Sequence, residues 1–219
     1  MRENVLANEC VYHIYNRSIA HFEIFDARDE CLRMKALLKY YKAEENIPYS
    51  LQGQLKVAVL KPEKMVELIG YCLMPTHLHL ILRQLVDDGI TKFMGRIQNS
   101  YSKFFNSKHN RSGPLWEGRF KRVLVQTDEQ LLHLTRYIHL NPVTAYLVKK
   151  ASDWEFSSLK EYVGLNGDNL CEFKSLLDIK PDAYAKFVED RADYQKALAK
   201  IKKLTIDEQK TKSRVLKLP

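Results

Sequence analysis

The strongest constraint on the fold is a strand-like run at residues 71–82, Y-C-L-M-P-T-H-L-H-L-I-L. In this run His77 and His79 are separated by one leucine. Because successive side chains of a β-strand point to opposite faces, both imidazoles are predicted to stand side by side on one face. The opposite face carries Leu78, Leu80 and Leu82 and is predicted to meet a core. The two imidazoles could be two ligands of a metal site that needs a third ligand. Alternatively, they are half-buried histidines that each make one hydrogen bond and bind no metal.

Length and composition predict an ordinary globular protein. The chain has 219 residues and is 45% hydrophobic, enough for one sizeable domain with additions. No apolar run is long enough to span a membrane and the N-terminus has no apolar signal segment, so we expect a cytoplasmic protein without a membrane partner. The four cysteines form no C-x-x-C pair, which favours reduced thiols over a zinc knuckle or a disulfide framework.

The charge distribution favours an acidic polymer as partner. The net charge is +8, and residues 96–122 hold seven basic residues against Glu117 alone. Aromatic residues lie between these charges, a mixture typical of single-strand nucleic-acid surfaces, although some of the rings are expected in the core. The rings are Tyr101, Phe104, Phe105, Trp116 and Phe120. A second basic cluster, at residues 196–219, favours a solvated or frayed helix.

Periodicity predicts a mixed α+β chain, with helices covering one face of an antiparallel sheet. The predicted strands are residues 10–17, 55–60, 65–73, 76–83 and 115–126, and the predicted helices are residues 29–45, 89–107 and 128–140. Asp26 or Asp29 is expected to cap the first helix. The turn at residues 61–64, K-P-E-K, joins two of the strands, and Pro75 is expected at a bend or an edge.

The third predicted helix carries a polar stripe. His133, Tyr137 and Asn141 are four residues apart and therefore share one helical face. If this helix lies over the histidine strand, His77, His79 and Asn141 could hold one divalent cation with Tyr137 beside it. Alternatively, Tyr137 is a tyrosine at the edge of the core and Asn141 caps the chain before Pro142.

Several motifs together resemble a known family. M-P-T-H-L-H-L resembles the histidine pair of HUH single-strand endonucleases. R-Y-I-H-L-N-P-V-T-A-Y-L, followed by W-E-F-S-S-L-K-E-Y, is similar to the signature of REP-associated tyrosine transposases, in the insertion-sequence-200-like family. The segment S-Y-S-K-F-F-N-S-K-H-N-R-S-G-P-L-W-E-G-R-F-K also resembles the family, and the likeness runs over residues 11–162. It implies a ferredoxin-like or RRM-like fold.

The resemblance also implies roles for individual residues. His77 and His79 match the metal ligands for Mg²⁺ or Mn²⁺, Tyr137 matches the single nucleophile, and Asn141 stands where relatives place an amide-type third ligand. Thr76 departs from the Asn, Asp or Glu that relatives place before the first histidine. The implied activity is metal-dependent cleavage and strand transfer of hairpin-flanked single-stranded DNA through a 5′-phosphotyrosine.

The further expectations concern partners and organisation. A catalytic domain at residues 1–165 is expected to precede a basic helical extension at 166–219, in a monomer or homodimer of the bacterial nucleoid. Phosphate contacts are expected from Lys103, Arg111, Arg119, Lys121 and Arg122.

Other assignments stay open from sequence alone. Tyr101 is a rival nucleophile, although Phe104 and Phe105 beside it favour a packing role. His133 shares a helical face with Tyr137 and could act as a base there. A catalytically silent regulator of the same fold could grip structured single strands or RNA. A zinc hydrolase would need a third carboxylate or cysteine ligand that no spacing identifies.

Overall fold

The computed structural model describes residues 6–42, 64–165 and 169–190. These residues form strands β1 (Val11–Arg17), β2 (Val66–Met74), β3 (His77–Gln84) and β4 (Lys121–Val125). They also form helices α1 (Arg28–Tyr40), α2 (Gly89–Lys108), α3 (Asp128–Thr144), α4 (Leu159–Tyr162) and α5 (Pro181–Glu189). Single 3-10 turns occupy Ile19–His21 and Ala151–Asp153.

The four strands make one sheet in the order β2-β3-β1-β4, and every neighbouring pair is antiparallel. The element order β-α-β-β-α-β up to β4 is that of the ferredoxin-like fold. The predicted α+β class, with a ferredoxin-like antiparallel sheet covered by helices, is therefore confirmed.

The two faces of the sheet pack against different helices. Helices α1 and α2 cover the face that carries Ile14 of β1 and the leucines of β3, and Leu78, Leu80 and Leu82 are fully buried there as predicted. Helix α3 packs on the other face, where Ile138 meets Ile69 and Ile81 in a second apolar cluster. The expectation that helices cover only one face is thus wrong, because α3 follows the completed sheet and crosses to the opposite side.

The turn between β2 and β3 consists of Pro75 and Thr76 alone. Pro75 lacks an N–H and cannot continue the strand ladder, so the chain reverses there. The reversal places His77 at the first position of β3, at the end of the sheet. The Pro75 carbonyl accepts hydrogen bonds from the Ile24 and Phe25 amides, which fixes the turn against the segment before α1.

Most predicted elements agree with the structure to within a few residues. The largest difference is the strand predicted at 115–126, which is ordered as β4 only over Lys121–Val125. The preceding residues make only an isolated antiparallel bridge, between Trp116 and Ser18, and otherwise pack: Leu115 is buried and Trp116 donates from Nε1 to the Gln98 carbonyl. The predicted strand at 55–60, most of the turn at 61–64, and the basic cluster at 196–219 lie outside the described residues.

Helix α3 runs past its predicted end. It was expected to stop near Leu140 with Asn141 as a cap, but it continues through Pro142 to Thr144. Proline removes one helical hydrogen bond, yet Ala145 still donates to the Asn141 carbonyl and Leu147 to the Pro142 carbonyl. Burial of Pro142 and Val143 offsets the lost bond, so the capping role predicted for Asn141 is wrong.

Helix α1 begins differently from the prediction. Its N-cap is Ala27, and neither Asp26 nor Asp29 caps it through a side chain. The buried carboxylate of Glu30 performs that task, because its Oε2 accepts hydrogen bonds from the backbone amides of Asp26 and Ala27 at 3.2 and 3.1 Å. Its Oε1 accepts from Lys108 and His109, at the end of α2, at 3.0 and 2.7 Å. One carboxylate therefore ties the start of α1 to the end of α2.

The aromatic rings of the basic segment belong to the core. Tyr101 and Phe105 are buried on α2, and the rings of Phe104, Trp116 and Phe120 pack against the same cluster. Tyr101 and Trp116 have ring centroids 6.1 Å apart and both contact Phe25. The expectation that some of these rings belong to the core is therefore confirmed for Tyr101 and Phe105, because α2 needs an apolar face to cover the sheet, and the other three rings are partly buried against the same cluster.

Residues 169–190 pack on α3. Tyr184 and Val188 of α5, with Phe173 and Leu177 before them, share one apolar cluster with Ile138. Tyr162 of α4 stacks on Phe173 with centroids 3.8 Å apart. The domain boundary predicted between residues 165 and 166 stays a prediction.

In the described ranges, no helix is both long and apolar enough to cross a membrane.

We expect Glu30→Ala to lower the free energy of unfolding by about 2–3 kcal/mol, because it removes a buried acceptor of four hydrogen bonds. Burial alone would raise the pKa of the Glu30 carboxyl, but hydrogen bonds from His109 and Lys108 outweigh burial and lower it. Urea denaturation at pH 7 measures the change. Glu155→Ala, which breaks the exposed pair with Arg28, serves as control and should have a much smaller effect. Equal losses in the two variants would contradict the assignment.

Candidate active site

The two histidines of β3 stand side by side, as their spacing predicts. The ring centroids of His77 and His79 are 5.1 Å apart and the rings are nearly perpendicular, at 86°. The face they occupy is the one that α3 covers in part, opposite the buried leucines. The structure therefore places both imidazoles where side chains of α3 can approach them.

Each imidazole has its Nδ1 atom engaged by a neighbour. Thr76 Oγ1 lies 3.0 Å from Nδ1 of His77. His13 Nε2 lies 3.0 Å from Nδ1 of His79, and these two rings stack with centroids 5.2 Å apart. Among residues 6–42, 64–165 and 169–190, no hydrogen bond engages either Nε2 atom, so both can accept a ligand. This is the usual arrangement in metal sites, where a second group holds the far nitrogen of each histidine.

His13 is a residue that the sequence reasoning missed. It lies on β1, two positions from the Tyr15 that pairs with His79 across the antiparallel ladder, and it therefore points to the same face. The alternation of V-Y-H-I-Y-N-R does indicate that His13, Tyr15 and Arg17 share a face. Only the pairing of β1 with β3 shows that this face is the one that carries His77 and His79.

Tyr137 of α3 completes the cluster. The Tyr137 ring centroid lies 5.9 Å from that of His79 and 6.3 Å from that of His13. The side chain is 41% exposed, so the phenol is open to solvent on one side. Burial raises the pKa of the Tyr137 phenol, and the neighbouring Asn141 amide offsets part of the rise. Spacing of four on one helix thus brings the predicted phenol and amide together, and the phenol lies beside His79.

The imidazoles of the cluster are neutral near pH 7. Burial lowers the pKa of His13 and of His77 to about 4. Burial, with the nearby charges of His77 and His13, lowers the pKa of His79 well below its usual value. A neutral imidazole offers a lone pair to a metal ion or a hydrogen-bond donor, whereas a protonated one repels cations.

His77, His79 and Tyr137 line a cavity of about 490 Å³, and His13 and Asn141 are not among its lining residues. Arg119 and Lys121 enter its wall, next to His77, His79 and Tyr137. The remaining lining residues are Tyr15, Asn16, Arg17, His21, Thr76, Glu117 and Gly118. The volume suits a nucleotide-sized group, and the cationic wall suits an anionic one.

The other predicted phosphate contacts lie elsewhere. Arg122 faces the opposite side of β4, because it pairs with Ile14, whereas Lys121 pairs with Tyr15 on the cavity side. Lys103 is exposed on α2, which covers the far face of the sheet. Arg111 lies over the ring of Phe22, with its guanidinium carbon 5.4 Å from the centroid. The structure therefore brings two of the five cations into the cavity.

Arg17 is a second residue that the sequence reasoning missed. It lies directly opposite His77 in the ladder and forms an ion pair with Glu117 across the cavity wall. Its charge contributes to the lowered pKa of His77, after burial. The spacing of Arg17 from Tyr15 predicts its face, but its proximity to His77 depends on the strand register.

The rival residues fall outside the cavity. Tyr101 is fully buried and its hydroxyl donates to the Ile24 carbonyl, while burial raises the pKa of its phenol far above the usual value. His133 contacts Arg136 and the ring of Phe187. His139 is buried between Tyr184 and Ser158, at 2.7 and 2.8 Å. None of the three side chains lines the cavity.

The donor set fits a divalent cation, but only with an amide oxygen. No group of three or more His, Cys, Asp or Glu suitable for a metal occurs in the described ranges. Asn141 supplies the additional donor type, and its amide nitrogen is buried without a hydrogen-bond partner among those residues. Because the oxygen and nitrogen of an amide are exchanged by a simple flip, the unpartnered position of the Asn141 amide can be taken by its oxygen. Two imidazoles and an amide oxygen form a borderline set that accepts several divalent metals.

Comparison with known proteins agrees with this geometry. Residues 52–141 match the sequence profile of the family described as IS200-like transposases, a segment that contains His77, His79, Tyr137 and Asn141. The chain is a relative of the IS200-like transposases. The family resemblance inferred from the motifs is thereby confirmed.

Two curated relatives of this family carry the name REP-associated tyrosine transposase. The chain is 26% identical to the Haemophilus influenzae protein over 102 residues and 26% identical to the Escherichia coli protein over 99 residues. These matches cover 42% and 45% of the chain, and they span 58% of the length of each relative.

The fold is shared with a REP-associated tyrosine transposase whose structure was solved bound to a REP hairpin. The likeness has a TM-score of 0.51 at 16% identity and covers 82% of this chain and 97% of the other. His13 and Arg17 precede the segment that matches the IS200-like profile, so their place beside His77 and His79 is evident only in the folded chain.

We expect the rings of His13, His77 and His79 to remain neutral at pH 6 in metal-free protein. An ordinary histidine, with a pKa of about 6.5, is mostly protonated at that pH, whereas burial lowers the pKa of each of these three. Ring ¹³C and ¹⁵N chemical shifts followed from pH 8 to 5 measure this, with urea-unfolded protein as the control. A folded-state midpoint at or above pH 6.5 for any of the three rings would contradict the burial argument.

Proposed function

We propose that the chain is a metal-dependent single-stranded DNA endonuclease and strand transferase that cleaves hairpin-flanked DNA through a 5′-phosphotyrosine. The observation that carries the proposal is the grouping in one basic cavity of a solvent-accessible phenol, Tyr137, with two neutral imidazoles, His77 and His79. The kinship with IS200-like transposases supports the same chemistry.

His77, His79 and Asn141 would hold the metal, Mg²⁺ or Mn²⁺. The metal, when bound, supplies a positive charge that polarises the scissile phosphate. Thr76 and His13 engage the two Nδ1 atoms, so the chain itself keeps both Nε2 atoms free. His13 is thus proposed as a positioning residue that acts through His79.

Tyr137 is proposed as the nucleophile. Its hydroxyl oxygen forms the new bond to phosphorus while the bond from phosphorus to the 3′-oxygen of the preceding nucleotide breaks. The phenol proton passes to solvent, which reaches the half-exposed side chain, and the departing 3′-oxygen takes up a proton. One phosphoester replaces another, so the strand can be rejoined by the reverse reaction without ATP.

The cationic wall serves binding and charge stabilisation. Arg119 and Lys121 line the cavity and are placed to contact the phosphate and offset the charge of the Tyr137 phenolate. Arg111, Lys103 and Arg122 lie outside the cavity and are proposed to contact the backbone of the flanking hairpin. A hairpin is the ligand named for the solved relative of similar fold.

The remaining assignments follow the same proposal. A catalytic domain at 1–165 with a helical extension at 166–219 would act, as monomer or homodimer, on DNA in the bacterial nucleoid. The alternative is a catalytically silent binding module of the same fold. Both hypotheses predict hairpin binding, but only the proposed enzyme forms a covalent complex with DNA.

We expect Tyr137→Phe to abolish covalent capture of DNA while it keeps hairpin binding within about threefold, because only the nucleophilic oxygen is lost. The assay incubates full-length protein with labelled hairpin oligonucleotides in Mn²⁺ or chelator and resolves the complex on a denaturing gel. Tyr101→Phe is the matched control: it also removes one hydroxyl, but a buried one bonded to the Ile24 carbonyl. It should keep capture and lose about 1 kcal/mol of stability.

Each alternative has its own signature in this assay. Capture retained by Tyr137→Phe and lost in Tyr101→Phe would reverse the assignment of the nucleophile. Hairpin binding without capture by the wild-type protein in any metal would favour the silent binding module.

We expect His13→Phe to weaken Mn²⁺ binding by about 10-fold to 100-fold, because the ring stack is kept but the partner of His79 Nδ1 is lost. His13→Gln retains an acceptor and should bind within a few fold of wild type. His133→Phe, on the outer side of α3, is the control and should bind as wild type. Calorimetry and Mn²⁺ electron paramagnetic resonance without DNA give the affinities. Unchanged binding by His13→Phe would refute the positioning role but leave the metal site intact, whereas no Mn²⁺ binding by wild type would refute the metal site.

A further inference from the structure

The segment between β1 and α1 presents an aromatic ring beside the cavity. Phe22 is 52% exposed and directly follows His21, which lines the cavity wall. Ala20 and His21 both have left-handed backbone angles, with φ of 51° and 57°. This conformation is unfavourable for residues other than glycine and persists only where the surroundings hold it.

The turn is held against the histidine strand at both ends. Ser18 donates from its amide to the Thr76 carbonyl at 2.8 Å, and Ile24 donates to the Pro75 carbonyl at 2.7 Å. Pro75 and Thr76 are the residues that lead into His77. Inside the turn, the buried Ser18 hydroxyl donates to the Phe22 carbonyl at 2.5 Å. The ring of Phe22 is therefore displayed from a fixed backbone next to the first proposed metal ligand.

A cation is fixed beside the same ring. The guanidinium carbon of Arg111 lies 5.4 Å from the Phe22 centroid, within the range of a cation–π contact. Two other bonds hold this side chain: Nη1 donates to Asn106 Oδ1 at 2.8 Å and Nη2 to the Pro114 carbonyl at 3.2 Å. An aromatic face next to a fixed guanidinium is the combination with which single-strand binding proteins take a base and its phosphate.

We propose that Phe22 is a stacking platform for one unpaired base of the strand whose phosphate enters the cavity, with Arg111 on the adjoining phosphate. The inference rests on the proposed function and adds a base-binding subsite to it. Stacking tolerates any base, because each has a π-face, so the site would hold the strand without reading its sequence. It would also supply a stacking ring one residue from the cavity wall, where the rings of the basic segment pack against the core instead.

The test combines an abasic scan of the DNA with a change of the ring. Every protein carries Tyr137→Phe to prevent cleavage, and fluorescence anisotropy measures binding to hairpin oligonucleotides whose unpaired flank has one abasic position at a time. We expect the parent to lose between about 5-fold and 100-fold in affinity at one position near the scissile phosphate. Phe22→Ala should lose the same factor on intact DNA and nothing further at that position, while Phe22→Trp should bind as the parent.

Tyr146→Ala is the matched control, because Tyr146 is also an exposed aromatic residue, at 60%, but neither it nor its chain neighbours line the cavity, whereas Phe22 directly follows the lining residue His21. It should bind every oligonucleotide as the parent does. Phe22→Ala binding like the parent, or keeping its sensitivity to every abasic position, overturns the platform and leaves the proposed function standing. A parent that binds no hairpin oligonucleotide overturns both.

Discussion

The site depends on the antiparallel pairing of β1 with β3. The register places Tyr15 opposite His79 and Arg17 opposite His77. Because side chains alternate along a strand, a slip of one residue would turn both imidazoles into the core and expose the alternating leucines. Burial of Leu78, Leu80 and Leu82, at about 2 kcal/mol each, therefore fixes the register. These buried leucines, which do not line the cavity, therefore determine which face of the sheet carries the histidines.

The same register prepares the imidazoles before any ligand arrives. His13 reaches Nδ1 of His79 from the neighbouring strand, and Thr76 reaches Nδ1 of His77 from the turn. Both contacts come from stiff elements, so ring orientation costs little further entropy when a ligand binds. Thr76, the departure from the family pattern before the first histidine, thus supplies a contact of its own to the neighbouring ring.

Features that depend on local periodicity could be predicted from the sequence. Alternation placed His77 and His79 together, and spacing of four placed Tyr137 with Asn141 on one face of α3. The contribution of β1 could not be predicted, because no local pattern states which strands pair. Composition likewise could not tell stacking rings from core rings: α2 needs an apolar face, and Tyr101 and Phe105 form part of it. Pro142 misled the prediction of the end of α3, because tertiary burial outweighed the lost hydrogen bond.

Tyr137, the proposed nucleophile, is held in place by contacts on the far side of α3. His139, two residues from Tyr137, is buried and its pKa falls to about 3 through burial, so the ring is neutral. Its two nitrogens contact the Tyr184 hydroxyl on α5 and the Ser158 hydroxyl. Ser158 is bonded in turn to the backbone of Tyr71 on β2. Rotation of α3 would leave these buried groups unsatisfied, which is costly in a dry interior. The phenol is therefore presented to the histidines of its own chain, and residues beyond 169 help to hold it there.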